Sequence, residues 1–417
     1  MSTRSAMGEI PAQAVAMLAI VGTFALGCGG GDRSAAPSAT APRTSASAVA
    51  PASASVAPSA RATPGEATSV ATGAPTAAPS VAGSASSARP APVPRCPALG
   101  SKALVKLATL PAPAEAMEMV LSGSSLFLLA AEDQARTVVF EVKLDEPFEA
   151  SKALTKVGTH TGATWPASLV PTEGDLFFTR GSTVVRLAKA GGEATVVADA
   201  LAPRIAAVGS SLYGVGCGEA GQAHLLRAPL AGGPVETVAT WPVGETKNSD
   251  AACRYPGLFV EGDRAYVAEP ESRRLLRIPL DGRGGAETVA SDLALPLGLF
   301  RAGSDLVVPA TDLVLRVPLG GGEPARIAAP VVPASPFAWN ARELFWLQRQ
   351  TVHNLNGALL YRLGHAAGAA KQFDSFGAPV VEALAADDAC LYVLRHDPPR
   401  RGAVVYAMPI PIPASDG

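Results

Sequence analysis

Short apolar runs recur along residues 103–412, and Gly, Asp or Pro stands at the ends of each run. The segment Arg274–Leu280 alternates apolar and polar residues, as a half-buried strand does. A tight turn, Glu261-Gly262-Asp263, separates two further apolar runs upstream of it. This stretch therefore predicts one unit of four short strands, at 256–260, 264–269, 274–280 and 287–290.

The four-strand unit recurs, and each copy is opened by a proline. The openers stand roughly 37 to 53 residues apart and are Pro113, Pro166, Pro203, Pro256, Pro296, Pro336 and Pro379. A repeat of this period, made of four short strands, is typical of a β-propeller. The sequence therefore predicts an all-β, seven-bladed propeller, with six blades as the alternative.

We name the strands of each blade A to D in chain order, and strand A runs from the top face to the bottom face. The last unit ends after its strand C at 402–408, whereas residues 103–110 look like a strand D without a blade. Pairing these two segments closes the ring and removes two exposed sheet edges. The alternative is that 103–110 is a loose lead-in.

The segment from strand C to strand D is the best-preserved part of the repeat, as in RAPLAGGPVETVA (227–239) and RIPLDGRGGAETVA (277–290). The glycine pair suits a hairpin with positive φ, and the prolines Pro229, Pro279 and Pro318 predict the end of strand C or a bulge. The pattern, with Leu280-Asp281-Gly282 as its closest copy, resembles YWTD-like and NHL-like propeller repeats. The resemblance covers about residues 103–412, although the YWTD tetrad itself is absent.

The N-terminus carries an apolar run, Ala14–Leu26, that is too short to span a bilayer comfortably. It ends in Ala25-Leu26-Gly27-Cys28 and resembles a bacterial lipoprotein signal peptide. The resemblance implies that residues 1–27 are removed and that Cys28 carries the lipid. By resemblance to the common sorting rule of such lipoproteins, Gly29 in place of Asp favours the outer membrane over the inner membrane. The alternative is an ordinary secretory signal.

The chain between the leader and the repeat is rich in Ser, Ala and Pro and has no aromatic residue between 32 and 95. Such a composition cannot bury enough apolar surface to offset its ordering entropy. Residues 28–95 are therefore predicted to be a disordered tether, with a root-mean-square span of roughly 40–50 Å. Residues 96–417 are predicted to be the propeller.

Net charge is −2 at pH 7, and no basic stripe is interleaved with aromatic residues. This balance excludes an electrostatic case for nucleic acid or an anionic membrane surface as the partner. The expected partner is an envelope protein, a peptide or a glycan, with membrane contact through the lipid anchor only and a monomeric propeller.

Strand polarity sorts the cysteines that follow the leader. Cys217 and Cys253 are expected on the top face of adjacent blades, and Cys96 and Cys390 on the bottom of the closing blade. Because an exported protein lies in an oxidising compartment, we predict the disulfides Cys217–Cys253 and Cys96–Cys390. Free thiols are the alternative; no CxxC or HxxxH spacing predicts zinc.

No nucleophile elbow, HExxH motif, P-loop or EF-hand loop is present. Propellers bind around the top of the channel, where the sequence predicts long loops that include 130–137, 241–255, 349–358 and 395–401. The candidate top-face rim residues are Trp165, Tyr255, Trp339, His160 and His353.

No cofactor is predicted, and a divalent cation is the one alternative, since Glu118, Asp250 and Asn340 offer suitable oxygens. The leading hypothesis is a lipid-anchored cell-envelope scaffold that is not an enzyme. The competing hypothesis is a metal-dependent propeller enzyme of the lactonase or lyase kind.

Overall fold

The computed structural model describes Cys96 and most of residues 104–411. Within that range it leaves out 134, 146–153, 163, 219–220, 244–256, 271, 294–295, 297, 312, 321, 329–335, 353–354, 365–369, 377–379 and 397–401; for 328, 349–352, 355–357, 376 and 380 it describes the backbone only. The chain divides into two units, 1–85 and 86–417. The predicted leader, Cys28 and the predicted tether lie outside the described residues.

The described chain forms 28 strands, which we number in order. The closing strand and blade one are β1 (Val105–Thr109), β2 (Glu115–Ser122), β3 (Ser125–Ala131), β4 (Arg136–Lys143) and β5 (Thr155–Thr161). Blades two and three are β6 (Pro166–Pro171), β7 (Asp175–Arg180), β8 (Thr183–Ala188), β9 (Thr195–Ala198), β10 (Ile205–Val208), β11 (Ser211–Cys217), β12 (Gln222–Pro229) and β13 (Glu236–Pro242). Blades four and five are β14 (Gly257–Glu261), β15 (Arg264–Glu269), β16 (Arg274–Pro279), β17 (Glu287–Ala290), β18 (Phe300–Ala302), β19 (Asp305–Pro309), β20 (Val314–Pro318) and β21 (Ala325–Ala328). Blades six and seven are β22 (Phe337–Trp339), β23 (Glu343–Val352), β24 (Leu355–Gly364), β25 (Lys371–Phe376), β26 (Val380–Ala386), β27 (Cys390–His396) and β28 (Ala403–Pro409).

The strands form seven four-stranded antiparallel sheets, which confirms the seven-bladed prediction. Around the ring the innermost strands meet one another, since β2 contacts both β6 and β26, and β10 contacts β6 and β14. The described residues include no α-helix. None of them therefore forms a helix of the length and apolarity that crossing a bilayer requires.

Blade seven is closed by the N-terminal strand, as the repeat predicts. In its sheet the order is β1-β28-β27-β26, and Lys106 of β1 lies opposite Tyr406 of β28. The predicted disulfide Cys96–Cys390 is confirmed, and Cys390, at the start of β27, is fully buried. The ring is thus held shut by a strand pairing and by a covalent link at the bottom face.

Each blade packs face to face on its neighbours, and this explains the long apolar runs. Phe127 and Leu129 of blade one pack with Phe178 and Leu187 of blade two in one buried cluster. A strand between two blades is covered on both faces, so β3 is buried along nearly its whole length. Such a strand has continuous apolar character and does not alternate.

Strand C ends at a proline in three blades, as the sequence predicts. Pro229, Pro279 and Pro318 are the last residues of β12, β16 and β20. Proline cannot donate to the next ladder bond, so it ends the strand without loss. The prediction of a loop at 349–358 is wrong in part, because β23 and β24 continue as a hairpin to Val352 and from Leu355.

Candidate functional site at the channel

The innermost strands differ from one another in regularity. Three consecutive blades carry a β-bulge near the top of strand A, with Glu382 in β26, Met117 in β2 and Ser168 in β6 as the extra residues. The ladders of β10, β14, β18 and β22 with their B strands have no such shift. Bulges re-aim side chains and are frequent beside binding sites. We call Met117, Ser168 and Glu382 the bulged arc.

Two residues of the bulged arc are presented to water. Met117 is 41% exposed, which is unusual for a large apolar side chain. Glu382 is also exposed, and its Oε1 lies 3.9 Å from Nε2 of His396. Ser168 differs, because it has a positive φ of 43° and is buried, and its hydroxyl accepts a hydrogen bond from Ile205 N at 3.3 Å. The arc thus combines an apolar and an acidic contact on adjacent innermost strands.

Glu118, next to the Met117 bulge, is half-buried in the channel wall. Its Oε2 accepts a hydrogen bond from the backbone N–H of Leu169 at 2.7 Å. Burial raises the pKa of Glu118, while the charge of Arg204 and the Leu169 N–H act in the opposite direction. A carboxyl whose pKa is perturbed by burial and by one cation is a candidate functional group.

The structure places two predicted rim residues at the top of blades one and two. Trp165 is half-buried and directly precedes β6. His160 lies near the end of the outer strand β5, away from the innermost strands, and its ring meets Phe178 edge-on at 6.1 Å. Burial lowers the pKa of His160, and the charge of Arg180 lowers it further. Tyr255 and His353 lie outside the described residues.

Trp339 occupies the other end of strand A. It is the last residue of β22, next to the bottom turn in which Asn340 N donates to Glu343 O. The ring is 44% exposed and packs on Phe300 with 4.4 Å between ring centroids. Trp339 therefore belongs to the bottom of the channel wall and not to the predicted top rim.

The three oxygen donors proposed for a cation do not converge in the described part of the chain. Glu118 lies in blade one, whereas the side-chain oxygen of Asn340 accepts from Arg342 N and Glu343 N at 2.8 Å in blade six. Asp250 lies outside the described residues. Within the described ranges no three His, Cys, Asp or Glu side chains are grouped as metal ligands.

Arg180, the last residue of β7, links blade two to the top of blade one and was not singled out from the sequence. It is 4% exposed, and it donates to the carbonyl oxygens of Ala135 and His160, both at 3.2 Å, and of Gly162. Burial lowers its pKa, while Asp133 acts in the opposite direction. The sequence signal that could have identified Arg180 is a charged residue at the end of an apolar run.

Glu269, the last residue of β15, links blade four to blade three in the same position. It is 2% exposed and accepts hydrogen bonds from Trp241 Nε1 of β13 and from Ser272 Oγ, both at 2.5 Å. It also forms a salt bridge with Arg274. Arg274 in turn donates to the Pro242 carbonyl at 2.6 Å.

The cysteine at the end of strand B in blade three is oxidised. Cys217 closes β11 and is disulfide-bonded. Its predicted partner, Cys253, lies outside the described residues, so the pairing Cys217–Cys253 stays a prediction.

Seven four-stranded blades, closed by an N-terminal strand around a bulged channel wall, define a seven-bladed β-propeller.

No protein-family model and no curated protein matches the sequence. Among solved structures the chain is similar to virginiamycin B lyase from Staphylococcus aureus, with a TM-score of 0.50, 12% identity, and coverage of 74% of this chain and 99% of the lyase. It also resembles BamB from Moraxella catarrhalis, with a TM-score of 0.47, 9% identity and coverage of 74% and 98%. A third is PorZ, a surface component of the type-IX secretion system of Porphyromonas gingivalis, with a TM-score of 0.44, 16% identity and coverage of 73% and 39%. At such identities the likeness concerns the fold alone.

Proposed function

We propose that this protein is a lipid-anchored propeller of the bacterial cell envelope that acts as a binding scaffold for a protein, a peptide or a glycan. The propeller provides a rigid rim, and the predicted tether with lipid on Cys28 holds it at a membrane, with the outer membrane favoured. The ligand contacts the top of the channel.

The bulged arc is the observation that supports this proposal. Regular strands would keep Met117 and Glu382 in the ladder, whereas the bulges present them to water on adjacent innermost strands. An exposed methionine adapts to an apolar partner surface, and a carboxylate offers hydrogen-bond acceptors. This combination suits the recognition of a partner that is partly apolar.

The binding proposal is tested by a thermal-shift screen of peptides and oligosaccharides, followed by titration of each hit against Met117→Ser and Glu382→Gln. Each variant should weaken binding of a hit by about tenfold or more, because each removes a side chain that the proposal places against the ligand. Val196→Ser is the matched control, because Val196 is a 50% exposed apolar residue on the outer strand β9. If the arc variants bind as tightly as wild type, the top of the channel is not the binding face.

The anchor has its own test. The variant Cys28→Ser should move the protein from the membrane fraction to the soluble fraction of the cell, because the lipid supplies the membrane affinity. Retention of the variant in the membrane fraction would contradict lipid anchoring and leave the binding proposal untouched.

A metal-dependent lactonase-like or lyase-like enzyme is the second candidate, and the raised pKa of Glu118 is the observation that favours it. A carboxyl with a raised pKa can act as a general acid near neutral pH. Tight divalent metal in the purified protein, lost activity on chelation and lost turnover in Glu118→Gln would favour this candidate. Unchanged ligand turnover in Glu118→Gln would rule out this role.

A further inference from the structure

In blades three and four, a pair of opposite charges bridges strands C and D at the same position of the repeat. In blade three, Arg227 lies opposite Glu236 with 2.7 Å between Nη2 and Oε2. In blade four, Arg277 lies opposite Glu287 with the same separation. Opposite charges directly across two strands stabilise the sheet, and like charges destabilise it.

Blade six breaks this pairing. Arg362 of β24 holds the position of Arg277, since it pairs with Phe345 of strand B as Arg277 pairs with Tyr266. Its partner on strand D, however, is Lys371. Two cations therefore lie opposite each other where blades three and four place an arginine and a glutamate.

The remaining acidic neighbour does not satisfy Arg362. Glu343 Oε1 lies 3.5 Å from Nη1 of Arg362, whereas the corresponding pair in blade five, Arg316 and Asp305, is in direct hydrogen-bond contact. Nη1 of Arg362 is inaccessible to solvent and has no hydrogen-bond partner among the described residues. A buried cationic donor without a hydrogen bond is costly. The Arg362 side chain as a whole is 25% exposed and lines a cavity, so an anion from outside the chain can approach it.

The two cations border a cavity of about 210 Å³ at the bottom of the cleft between blades six and seven. Its apolar wall consists of Phe373, Met408, Pro409 and Pro411. The guanidinium of Arg362 lies over the Phe373 ring, 5.1 Å from its centroid. This volume is below the roughly 300–1,000 Å³ of pockets for drug-sized ligands. The cavity therefore suits a ligand smaller than a typical drug molecule.

We propose that this cleft, between Arg362, Lys371 and Phe373, binds the carboxylate of a small organic acid with a flat apolar body. Arginine presents a planar fork of donors that matches a carboxylate, and lysine adds a second charge. The apolar wall selects against inorganic anions. Asp374 also borders the cavity, and its Oδ1 accepts a hydrogen bond from Ser375 N at 2.7 Å.

The probe is 4-fluorobenzoate, with 4-fluorobenzamide as its uncharged analogue of the same shape. Fluorine line broadening of each compound is measured with the full chain. Wild type should broaden the benzoate signal in a saturable manner and leave the benzamide signal nearly unchanged. Equal broadening of both compounds, or no saturable broadening of the benzoate, would overturn the proposal.

The decisive variant is Lys371→Glu, which restores the charge pair of blades three and four and should therefore keep the fold. It should weaken binding of 4-fluorobenzoate by about tenfold or more, because one charge-assisted contact is replaced by repulsion. The matched control, Glu287→Lys, creates two opposed cations in blade four and should gain no binding. Unaltered affinity in Lys371→Glu, with an unchanged circular dichroism spectrum, would refute the site.

Discussion

Two junctions between blades are each linked by a buried charged side chain, and the two side chains carry opposite charges. At the junction of blades one and two, the last residue of strand B is Arg180, which donates hydrogen bonds to backbone carbonyls of blade one. At the junction of blades three and four the same position is Glu269, and its partners are the indole of Trp241, a hydroxyl and the charged Arg274. Both side chains are almost fully buried.

The comparison teaches that one position of the repeat can hold a polar link between blades with either sign of charge. The energetic consequence lies in what each link leaves behind when it is removed. Loss of Arg180 leaves the carbonyl groups of Ala135, His160 and Gly162 without this donor. Loss of Glu269 leaves a charge on Arg274, whose side chain is 23% exposed. An uncompensated, partly buried charge costs more than an unsatisfied neutral group.

The largest effect is expected for Glu269→Leu. The variant should lose about 3–5 kcal/mol of unfolding free energy, because it strands Arg274 and leaves the Trp241 N–H without an acceptor. Urea denaturation followed by circular dichroism measures this loss.

The double variant Glu269→Leu with Arg274→Leu serves as the control for that prediction. It should recover part of the lost stability, because no charge remains unpaired. Strict additivity of the two single variants would contradict the role of the stranded charge.

A smaller loss is expected for Arg180→Met, which keeps the apolar length of the side chain. The variant should lose about 1–3 kcal/mol, because it leaves buried neutral acceptors unsatisfied. The same urea denaturation applies, and a loss that equals or exceeds that of Glu269→Leu would break the comparison.

Glu118, which links the innermost strands β2 and β6, should make the stability of the protein depend on pH. Its folded pKa is raised, so the folded state holds the proton above the unfolded pKa of about 4.3. Stability from this group is complete below that pKa and is lost as pH rises through the folded pKa. Wild type should therefore lose more stability than Glu118→Gln between pH 4 and pH 7, as measured by denaturation at each pH. A difference between the two proteins that does not change with pH would contradict the raised pKa.

The smallest effect is expected at the outer end of the same junction. Arg180→Met should raise the pKa of His160, because it removes a positive charge that disfavours the imidazolium. The pKa should stay below its ordinary value, since burial is the larger cause and remains. An NMR titration of the His160 ring protons measures the change, and an unchanged pKa would show that the Arg180 charge does not act on His160.

The repeat made most of the architecture predictable, because the start and end of each strand depend on nearby residues in the sequence. Pro279 ends β16 and the run Arg264–Glu269 coincides with β15, since both depend on neighbouring residues alone. The link Cys96–Cys390 followed from strand polarity, which places both residues at the bottom of the closing blade.

The candidate site was less predictable, because it depends on contacts between blades. The bulge at Met117 leaves no mark in the apolar pattern, since it is a shift of register against β3. Trp339 was assigned to the top rim because it closely follows the opener Pro336, but β22 has only three residues and ends at Trp339. The opposition of Arg362 and Lys371 depends on the register between β24 and β25, which sequence spacing does not supply.

The disulfide between Cys96 and Cys390 also determines how the propeller would carry a mechanical load. A pull on the chain upstream of Cys96 reaches Cys390, in the fully buried start of β27, through covalent bonds. The hydrogen bonds between β1 and β28 are then bypassed and do not bear the tension. A head held by an N-terminal tether would be loaded at its bottom face, inside the closing blade, and could not be unzipped from its first strand.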